Sequence, residues 1–282
     1  MTVIAERTLE TSVVAINYAI AGSGPPLLLL HGGSARWQHL EHLVRALADQ
    51  WQVIAPDLRG HGRSGRVPGR YRLTDYADDI VALLEHLGGA LVFGHSLGGQ
   101  VAVVTAAHRP DLFRALAVGD TPLSVATLPT ALRPDRPMLL RWRELAASGG
   151  SRDEIASALR DQRVQFEGRS GRAEDLMPKN SKWFEFMAGC LRDLDPTMLD
   201  AVIEFDAMYA GFETDRLLPA IDCPLMLIQA DPRYGGALGD ADVAVVRGLR
   251  PDVVVARIAD AGHSTYPWKI EAVLREFFRT AR

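Results

Sequence analysis

One serine in this sequence lies in a pattern that could turn its hydroxyl into a nucleophile. The segment GHSLG at residues 94–98 joins the apolar run ALVF at residues 90–93 to an apolar segment with the composition of a helix. Where G-x-S-x-G connects a strand to a helix, it forms a sharp turn that exposes the serine hydroxyl at the edge of the sheet. The helix that follows directs free N–H groups at negative charge developing beside Ser96. The alternative is a glycine-rich turn in which Ser96 only caps the helix.

Two other patterns are similar to ligand sites but lack parts that such sites require. The segment GHGRSG at residues 60–65 matches G-x-G-x-x-G, yet the residues after it, RVPGR, predict a loop. A dinucleotide fingerprint must instead open a helix. His39 and His42 share the i, i+3 spacing of one helix face, but no third metal ligand is evident nearby. The sequence therefore predicts no cofactor and no metal.

These residues must be positioned by the surrounding elements, which alternate between strand and helix patterns. The run PLLLL at residues 26–30 is apolar throughout, as expected of a strand buried on both faces. Alternation of this kind predicts a mainly parallel sheet with helices on both faces. Strands are predicted at residues 13–20, 26–30, 52–55, 90–93, 115–118, 224–229 and 252–258, and helices at 37–47, 74–87, 97–108 and from 267 onward.

The alternation stops after Asp120. From residue 121 to residue 221 the pattern is helical and rich in arginine, with proline and glycine interruptions and no clear strand. We therefore expect an α/β core formed by residues 1–120 and 222–282, interrupted by a helical insertion at residues 121–221.

The composition and the net charge of the chain are typical of a globular protein that does not bind nucleic acid or membranes. The chain has 282 residues, of which 48% are hydrophobic and 23% charged, close to the globular average. A net charge of −4 favours neither a nucleic-acid nor an anionic membrane partner. The N-terminal sequence lacks the apolar region of a signal peptide, and the apolar runs are far shorter than a membrane span of about 20 residues. We expect a cytoplasmic protein that acts on a small molecule, with Cys190 and Cys223 as free thiols.

Four segments together make the sequence similar to the α/β-hydrolase superfamily. They are HGG at residues 31–33, DLRGHGRS at 57–64, GHSLGG at 94–99 and GH at 262–263, and their order and spacing match over nearly the whole chain. The resemblance implies an α/β-hydrolase fold, an eight-stranded, mostly parallel sheet with a helical cap inserted after its sixth strand. It also implies that residues 121–221 form the cap and that Ser96 is the nucleophile of a Ser-His-Asp triad.

Eight histidines compete for the role of the base. The resemblance favours His263, because it follows a predicted strand and a turn and precedes the final helix. The other histidines lie where a structural role is the ordinary interpretation, either in loop motifs (His31, His61 and His95) or on predicted helices (His39, His42, His86 and His108).

The identity of the acid stays open between two aspartates. The acid should follow the nucleophile and precede the base along the chain. Asp120 ends the sixth strand, a position that some members of the superfamily use. Asp231 follows the seventh strand, where the superfamily usually carries the acid as G-x-x-D, but Ala230 replaces the glycine and Arg233 occupies the expected position. Asp231 could instead form a turn. The remaining candidates, Asp240 and Asp242, are typical of helix-start residues.

The resemblance assigns the oxyanion hole to the backbone N–H groups of Gly33 and Leu97, although Gly33 could serve only a tight turn. Three aromatic residues have two interpretations each. Trp37 either lines the substrate pocket or begins the apolar face of the first helix. Trp183 and Phe186 either face the nucleophile or pack a small core within the insertion.

The function that these residues predict is hydrolysis by an acyl-enzyme route. The expected substrate is a small to medium, largely apolar ester, lactone or thioester. Alternatives on the same fold are carbon–carbon bond hydrolysis and cofactor-free perhydrolysis, and outside enzymes a ligand receptor that retains the triad. Relatives that open epoxides or remove halogens use Asp where Ser96 stands, which disfavours those reactions.

Overall fold

The computed structural model describes residues 2–124, 136–166, 169–178 and 181–281 of the chain. The strands are β1 (Ala5–Glu10), β2 (Ala15–Ala21), β3 (Pro26–Leu30), β4 (Gln52–Pro56), β5 (Ala90–His95), β6 (Phe113–Gly119), β7 (Arg163–Phe166), β8 (Arg169–Arg172), β9 (Leu225–Ala230) and β10 (Val254–Ile258). The α-helices are α1 (Glu41–Leu47), α2 (Leu73–Leu87), α3 (Leu97–His108), α4 (Arg136–Ala147), α5 (Arg152–Asp161), α6 (Ala173–Leu176), α7 (Trp183–Arg192), α8 (Pro196–Glu204), α9 (Thr214–Leu217), α10 (Asp240–Leu249) and α11 (Glu271–Thr280).

The main sheet has eight strands in the order β1-β2-β4-β3-β5-β6-β9-β10. Strand β2 is antiparallel to both of its neighbours, β1 and β4. All the other neighbouring pairs in this sheet are parallel. The eight-stranded, mostly parallel sheet predicted from the sequence is therefore confirmed. Because parallel strands end at the same edge, the residues that follow β3, β5, β6, β9 and β10 gather there.

Strand β3 shows how the sheet separates two cores. Leu28 and Leu30 belong to the core that also holds residues of α2 and α3. Leu27 and Leu29 belong to the opposite core, with residues of α1 and α11. All four leucines are 0% exposed, so the prediction of a strand buried on both faces is confirmed. Burial on both faces makes the sheet a rigid base for the loops at its edge.

The chain leaves the main sheet after β6 and rejoins it at β9, and helices α4–α9 lie between. This interval also contains the antiparallel pair β7–β8, so the expectation of no strand here was wrong. These two strands pair with each other. The sequence RSGR has no apolar residue, and the alternation in RVQF extends over only four residues, which is too short to indicate a strand by itself. Residues 125–135, 167–168 and 179–180 of the predicted insertion lie outside the described residues.

Both cysteines are buried and free. Within the described ranges, no helix has the length and apolar character needed to span a membrane.

Candidate active site

The turn between β5 and α3 holds Ser96 in a strained backbone conformation. Its φ of 53° and ψ of −119° lie outside the regions that L-residues prefer. Two glycines allow this turn by permitting close approach. A Cβ on Gly94 would collide with the carbonyl of Gly98, and a Cβ on Gly98 would stand 2.6 Å from the carbonyl oxygen of His31. The spacing of the motif is thus required by backbone contacts on both sides of the serine.

The side chain of His263, which follows β10, lies between Ser96 at the end of β5 and Asp120 at the end of β6. Its Nδ1 lies 2.7 Å from Asp120 Oδ2, and its Nε2 lies 3.1 Å from Ser96 Oγ. These distances fit a chain of hydrogen bonds in which Nδ1–H donates to the carboxylate and the serine hydroxyl donates to Nε2. The imidazole is partly exposed, whereas the carboxylate is 0% exposed. Of the eight histidines, the one favoured from the sequence lies between the serine and an aspartate.

Backbone donors hold the Asp120 carboxylate in place. The N–H groups of Ala230 and Leu238 donate to Oδ1 at 3.1 Å, and that of Ala237 donates to Oδ2 at 2.8 Å. Burial would raise the pKa of Asp120, but the hydrogen bond and charge of His263 and the backbone donors outweigh it and lower the pKa below its usual value. Asp120 therefore remains an anion beside the imidazole.

Asp231 has different partners. Its carboxylate accepts hydrogen bonds from the Arg233 guanidinium at 2.7–3.2 Å and from the backbone N–H of Arg233 at 2.9 Å. These hydrogen bonds are the main cause of its lowered pKa. The backbone N–H of Asp260 also donates to it. These contacts are those of a turn and an ion pair. They agree with the interpretation of Asp231 as a turn residue. Asp240 and Asp242 lie in the first turn of α10, as expected.

Gly33 and Leu97 lie next to each other at the site. Leu97 is the first residue of α3, where helix geometry leaves the backbone N–H without an intrahelical partner. A Cβ on Gly33 would stand 3.9 Å from the Leu97 side chain, an ordinary contact, and the φ of Gly33 is not positive. Glycine is therefore not required at position 33 by the conformation of a tight turn.

Two buried imidazoles brace the loop that carries Gly33. His31 Nε2 accepts the N–H of Leu58 at 3.0 Å, and His61 Nε2 accepts the N–H of Ser34 at 3.2 Å. Each Nδ1–H donates to a nearby backbone carbonyl, at 2.7 Å for His31 and 2.9 Å for His61. Burial is the main reason that the pKa falls to about 4 for His31 and to about 3 for His61. Both rings are thus neutral acceptors, a structural role for the two loop motifs.

The three aromatic pocket candidates lie in different surroundings. Phe186, on α7, has its ring 6.2 Å from that of His39, and the Arg36 guanidinium carbon lies 5.7 Å from the Phe186 centroid. The His39 ring lies 5.5 Å from His95, which adjoins the serine. Phe186 is therefore a residue of the segment between β6 and β9 that approaches the site.

The two tryptophans pack elsewhere. Trp183 contacts Trp142 and Phe184 at ring separations of 6.3 and 5.3 Å, within the insertion. Trp37 is 6% exposed and packs in the core beside α1. These contacts agree with the packing interpretation for both residues.

Sequence reasoning missed Arg36 and Tyr266 near the site, and it gave His95 only a structural role in its motif. Arg36 forms an ion pair with Asp193 at 3.1 Å and thereby links the Gly33 loop to the insertion. His95 Nδ1 lies 2.7 Å from the Tyr266 hydroxyl. The only signal for these residues was their position, because each lies within three residues of a predicted site residue.

Neither the glycine pattern at residues 60–65 nor the His39 and His42 pair has the features of a ligand site in the described part of the chain. Residues 60–65 form a loop, and the next helix, α2, begins only at Leu73. A Cβ on Gly62 would collide with the Asp57 carboxylate, so this glycine serves a close approach within the loop. Among the described residues, no group of three or more His, Cys, Asp or Glu side chains is arranged to hold a metal ion.

Comparison with known proteins gives consistent matches. Residues 25–269 match the family profile described as alpha/beta hydrolase fold. The 2-(acetamidomethylene)succinate hydrolase of Mesorhizobium japonicum is 40% identical over 116 residues, which are 40% of this chain and 42% of that protein. The soluble epoxide hydrolase of a Corynebacterium species is 41% identical over 107 residues, 37% of either chain. The chain thus matches about two-fifths of the length of these curated relatives.

Solved structures match over a longer range. The crystal structure of E-2-(acetamidomethylene)succinate hydrolase aligns with a TM-score of 0.73 at 22% identity and covers 98% of both chains. A thermophilic esterase from Thermogutta terrifontis aligns with a TM-score of 0.71 at 23% identity, covering 98% of this chain and 99% of that one. At such identities the likeness establishes the fold.

Proposed function

Because the chain belongs to the alpha/beta hydrolase fold family, we propose that it is a serine hydrolase that works through Ser96, His263 and Asp120. The observation that carries the proposal is the hydrogen-bonded series from Ser96 Oγ through the His263 ring to the buried Asp120 carboxylate, with distances of 3.1 and 2.7 Å. A serine hydroxyl is a weak nucleophile until an adjacent base accepts its proton.

The reaction has two halves. Ser96 Oγ attacks the substrate carbonyl while His263 Nε2 accepts its proton, and Asp120 stabilises the imidazolium that forms. The backbone N–H groups of Gly33 and Leu97 donate to the oxyanion of the tetrahedral intermediate. His263 then gives its proton to the leaving group, and an acyl-enzyme remains on Ser96. In the second half, His263 deprotonates water, which attacks the acyl group. The bond from the acyl carbon to Ser96 Oγ then breaks, His263 returns the proton to Oγ, and the carboxylic acid leaves.

The substrate proposed is a small to medium, largely apolar carboxylic ester, lactone or thioester. The Phe186 side chain supports it, because it brings an aromatic surface from α7 to the imidazoles beside the serine. His39 adds little charge there, because burial and the neighbouring imidazoles lower its pKa to about 4. An apolar acyl group would gain from leaving water at such a surface.

The first test is covalent labelling and turnover. The wild-type protein should react with a fluorophosphonate probe and hydrolyse p-nitrophenyl esters over several turnovers. Ser96→Ala should lose both properties, whereas Ser148→Ala, which removes an exposed serine hydroxyl at the end of α4, should retain them. Full labelling of Ser96→Ala would overturn the assignment of the nucleophile. Retention of an ester without turnover would favour a receptor.

A second substrate class belongs in the same panel. The Mesorhizobium relative is named for hydrolysis of 2-(acetamidomethylene)succinate, a compound with an acetamido group and two carboxylates. That compound should therefore be assayed beside the esters. A higher kcat/KM for it than for the best ester would replace the apolar ester with an acidic amide as the substrate class.

A further inference from the structure

The imidazole of His95 lies in the turn that carries Ser96, beside the loops that carry His263 and Gly33. It immediately precedes Ser96 and is only 2% exposed. Its ring centroid lies 4.7 Å from that of His263. Its Nε2 lies 3.2 Å from the position that a Cβ on Gly32 would occupy, so its edge faces the loop that leads to Gly33. One buried ring thus adjoins Ser96, His263 and the loop that carries Gly33.

Tyr266 provides the polar partner of this ring. It is 0% exposed and follows His263 by three positions, at the start of the 3-10 turn Tyr266–Lys269. Its hydroxyl lies 2.7 Å from His95 Nδ1. A Cβ on Gly119 would collide with this hydroxyl, so the glycine at the end of β6 makes room for it. The hydrogen bond therefore joins the loop that carries His263 and Tyr266 (the base loop) to the turn that carries His95 and Ser96. It lies next to β6, the strand that ends before Asp120.

The protonation states of the two side chains bear on the direction of this hydrogen bond. Burial and the neighbouring His263 and His39 hold the pKa of His95 well below its usual value, so the ring is neutral. Burial also raises the pKa of Tyr266 well above its usual value, so the phenol keeps its proton. A buried hydroxyl hydrogen needs an acceptor, and His95 Nδ1 lies at the right distance. The backbone of Gly119 is a second hydrogen-bond partner of the His95 ring. With Tyr266 as the donor to Nδ1, the His95 proton is on Nε2.

We propose that His95 and Tyr266 are positioning residues whose hydrogen bond fixes His263 relative to Ser96. This inference rests on the proposed function, because it concerns the geometry of the same reaction. The two loops come from distant parts of the chain, and His95 and Tyr266 are 171 positions apart. A buried polar contact between them holds the base loop more specifically than apolar packing alone. Displacement of a catalytic group by about 1 Å can cost about 100-fold in rate.

The test compares two buried tyrosines that each donate a hydrogen bond. Tyr266→Phe should lower kcat for the best ester and slow fluorophosphonate labelling by a common factor of about 10, while KM stays within about twofold. Tyr71→Phe is the matched control. It removes a buried hydroxyl that donates to Asp195 at 2.5 Å, far along the chain from the base loop. This control should lower Tm with kcat unchanged. A Tyr266→Phe variant that only lowers Tm, as the control does, would overturn the proposal.

Substitution of His95 provides a second, independent test. His95→Asn keeps an acceptor near the Nδ1 position and should retain kcat within about threefold, whereas His95→Leu should lose about 10-fold or more. Equal activity of these two variants would contradict the proposal.

A measurement without substrate separates this inference from the proposed function. Nitrogen-15 NMR of the wild-type imidazoles should show the His95 proton on Nε2, and Tyr266→Phe should perturb the His263 ring signals. A proton on Nδ1 of His95, or unchanged His263 signals, would overturn the inference even in a protein without esterase activity. An inactive, unlabelled wild-type protein with the expected NMR signals would overturn the proposed function alone.

Discussion

Asp120 and Asp231 carry the same functional group at the ends of adjacent strands, β6 and β9, yet their surroundings suit different tasks. Asp120 is buried, has a positive φ of 43°, and accepts hydrogen bonds from three backbone N–H groups and His263. Asp231 binds an arginine whose side chain is 75% exposed. A preorganised anion that water does not reach stabilises an adjacent imidazolium far better than a carboxylate already paired with an exposed arginine.

We therefore expect Asp120→Asn to remain folded but to lose up to about 10⁴-fold in kcat, because an amide cannot hold the His263 tautomer or stabilise its charge. Asp231→Asn, the matched control, should keep at least about a tenth of the wild-type rate, since it weakens only a turn. Steady-state kinetics and circular dichroism of both variants test this pair. The opposite order of activities would move the acid to Asp231, and two active variants would place it elsewhere.

At the scale of elements, helix α7 lies in the predicted insertion and approaches the candidate site. Its residue Phe186 packs near His39 and Arg36, whereas Trp183, one turn earlier, packs against Trp142 and Phe184. One helix thus presents one aromatic ring to the site and another to the interior of the insertion.

This contrast predicts different effects of two truncations. Phe186→Ala should change the ratio of kcat/KM between short and long acyl esters by about 10-fold, because it removes apolar surface where the acyl group would lie. Trp183→Ala should lower Tm and leave that ratio unchanged. A p-nitrophenyl ester series with thermal melts measures both quantities. If both variants merely melt earlier, the insertion does not select the substrate.

The elements that sequence could predict were those with local apolar signals. The family, the parallel strands and helix α3 followed from runs such as PLLLL and from motifs at strand ends. Strand β1 was missed because its residues, AERTLE, are mostly exposed, and only antiparallel pairing with β2 makes them a strand. The choice between Asp120 and Asp231 stayed open because it depends on contacts with residues 237, 238 and 263, which no local pattern reveals.

At the scale of the whole molecule, the buried histidines link stability to pH. His31 and His61 are neutral acceptors in the folded protein, with pKa values of about 4 and about 3. In the unfolded chain a histidine has its ordinary value of about 6.5, so the unfolded state binds more protons below that pH. Stability from these groups is therefore complete above about pH 6.5 and is lost as the pH falls toward 4.

The free energy of unfolding should accordingly fall by up to about 1.4 kcal/mol per pH unit for each of these histidines between pH 6.5 and 4. His61→Gln keeps an acceptor near Nε2 but cannot be protonated, so its slope should be shallower than that of the wild type. Urea unfolding at several pH values measures the slope. Identical slopes for the two proteins would show that His61 does not titrate on unfolding.

Ser96 and His263 are 167 positions apart, and Asp120 and His263 are 143 apart. During synthesis the ribosome therefore releases Ser96 and Asp120, the proposed nucleophile and acid, long before it releases His263, the proposed base. Until β9 and β10 join the sheet, a nascent chain carries a serine with no group to take its proton. In the proposed mechanism, ester hydrolysis can therefore begin only when the last strand of the sheet docks.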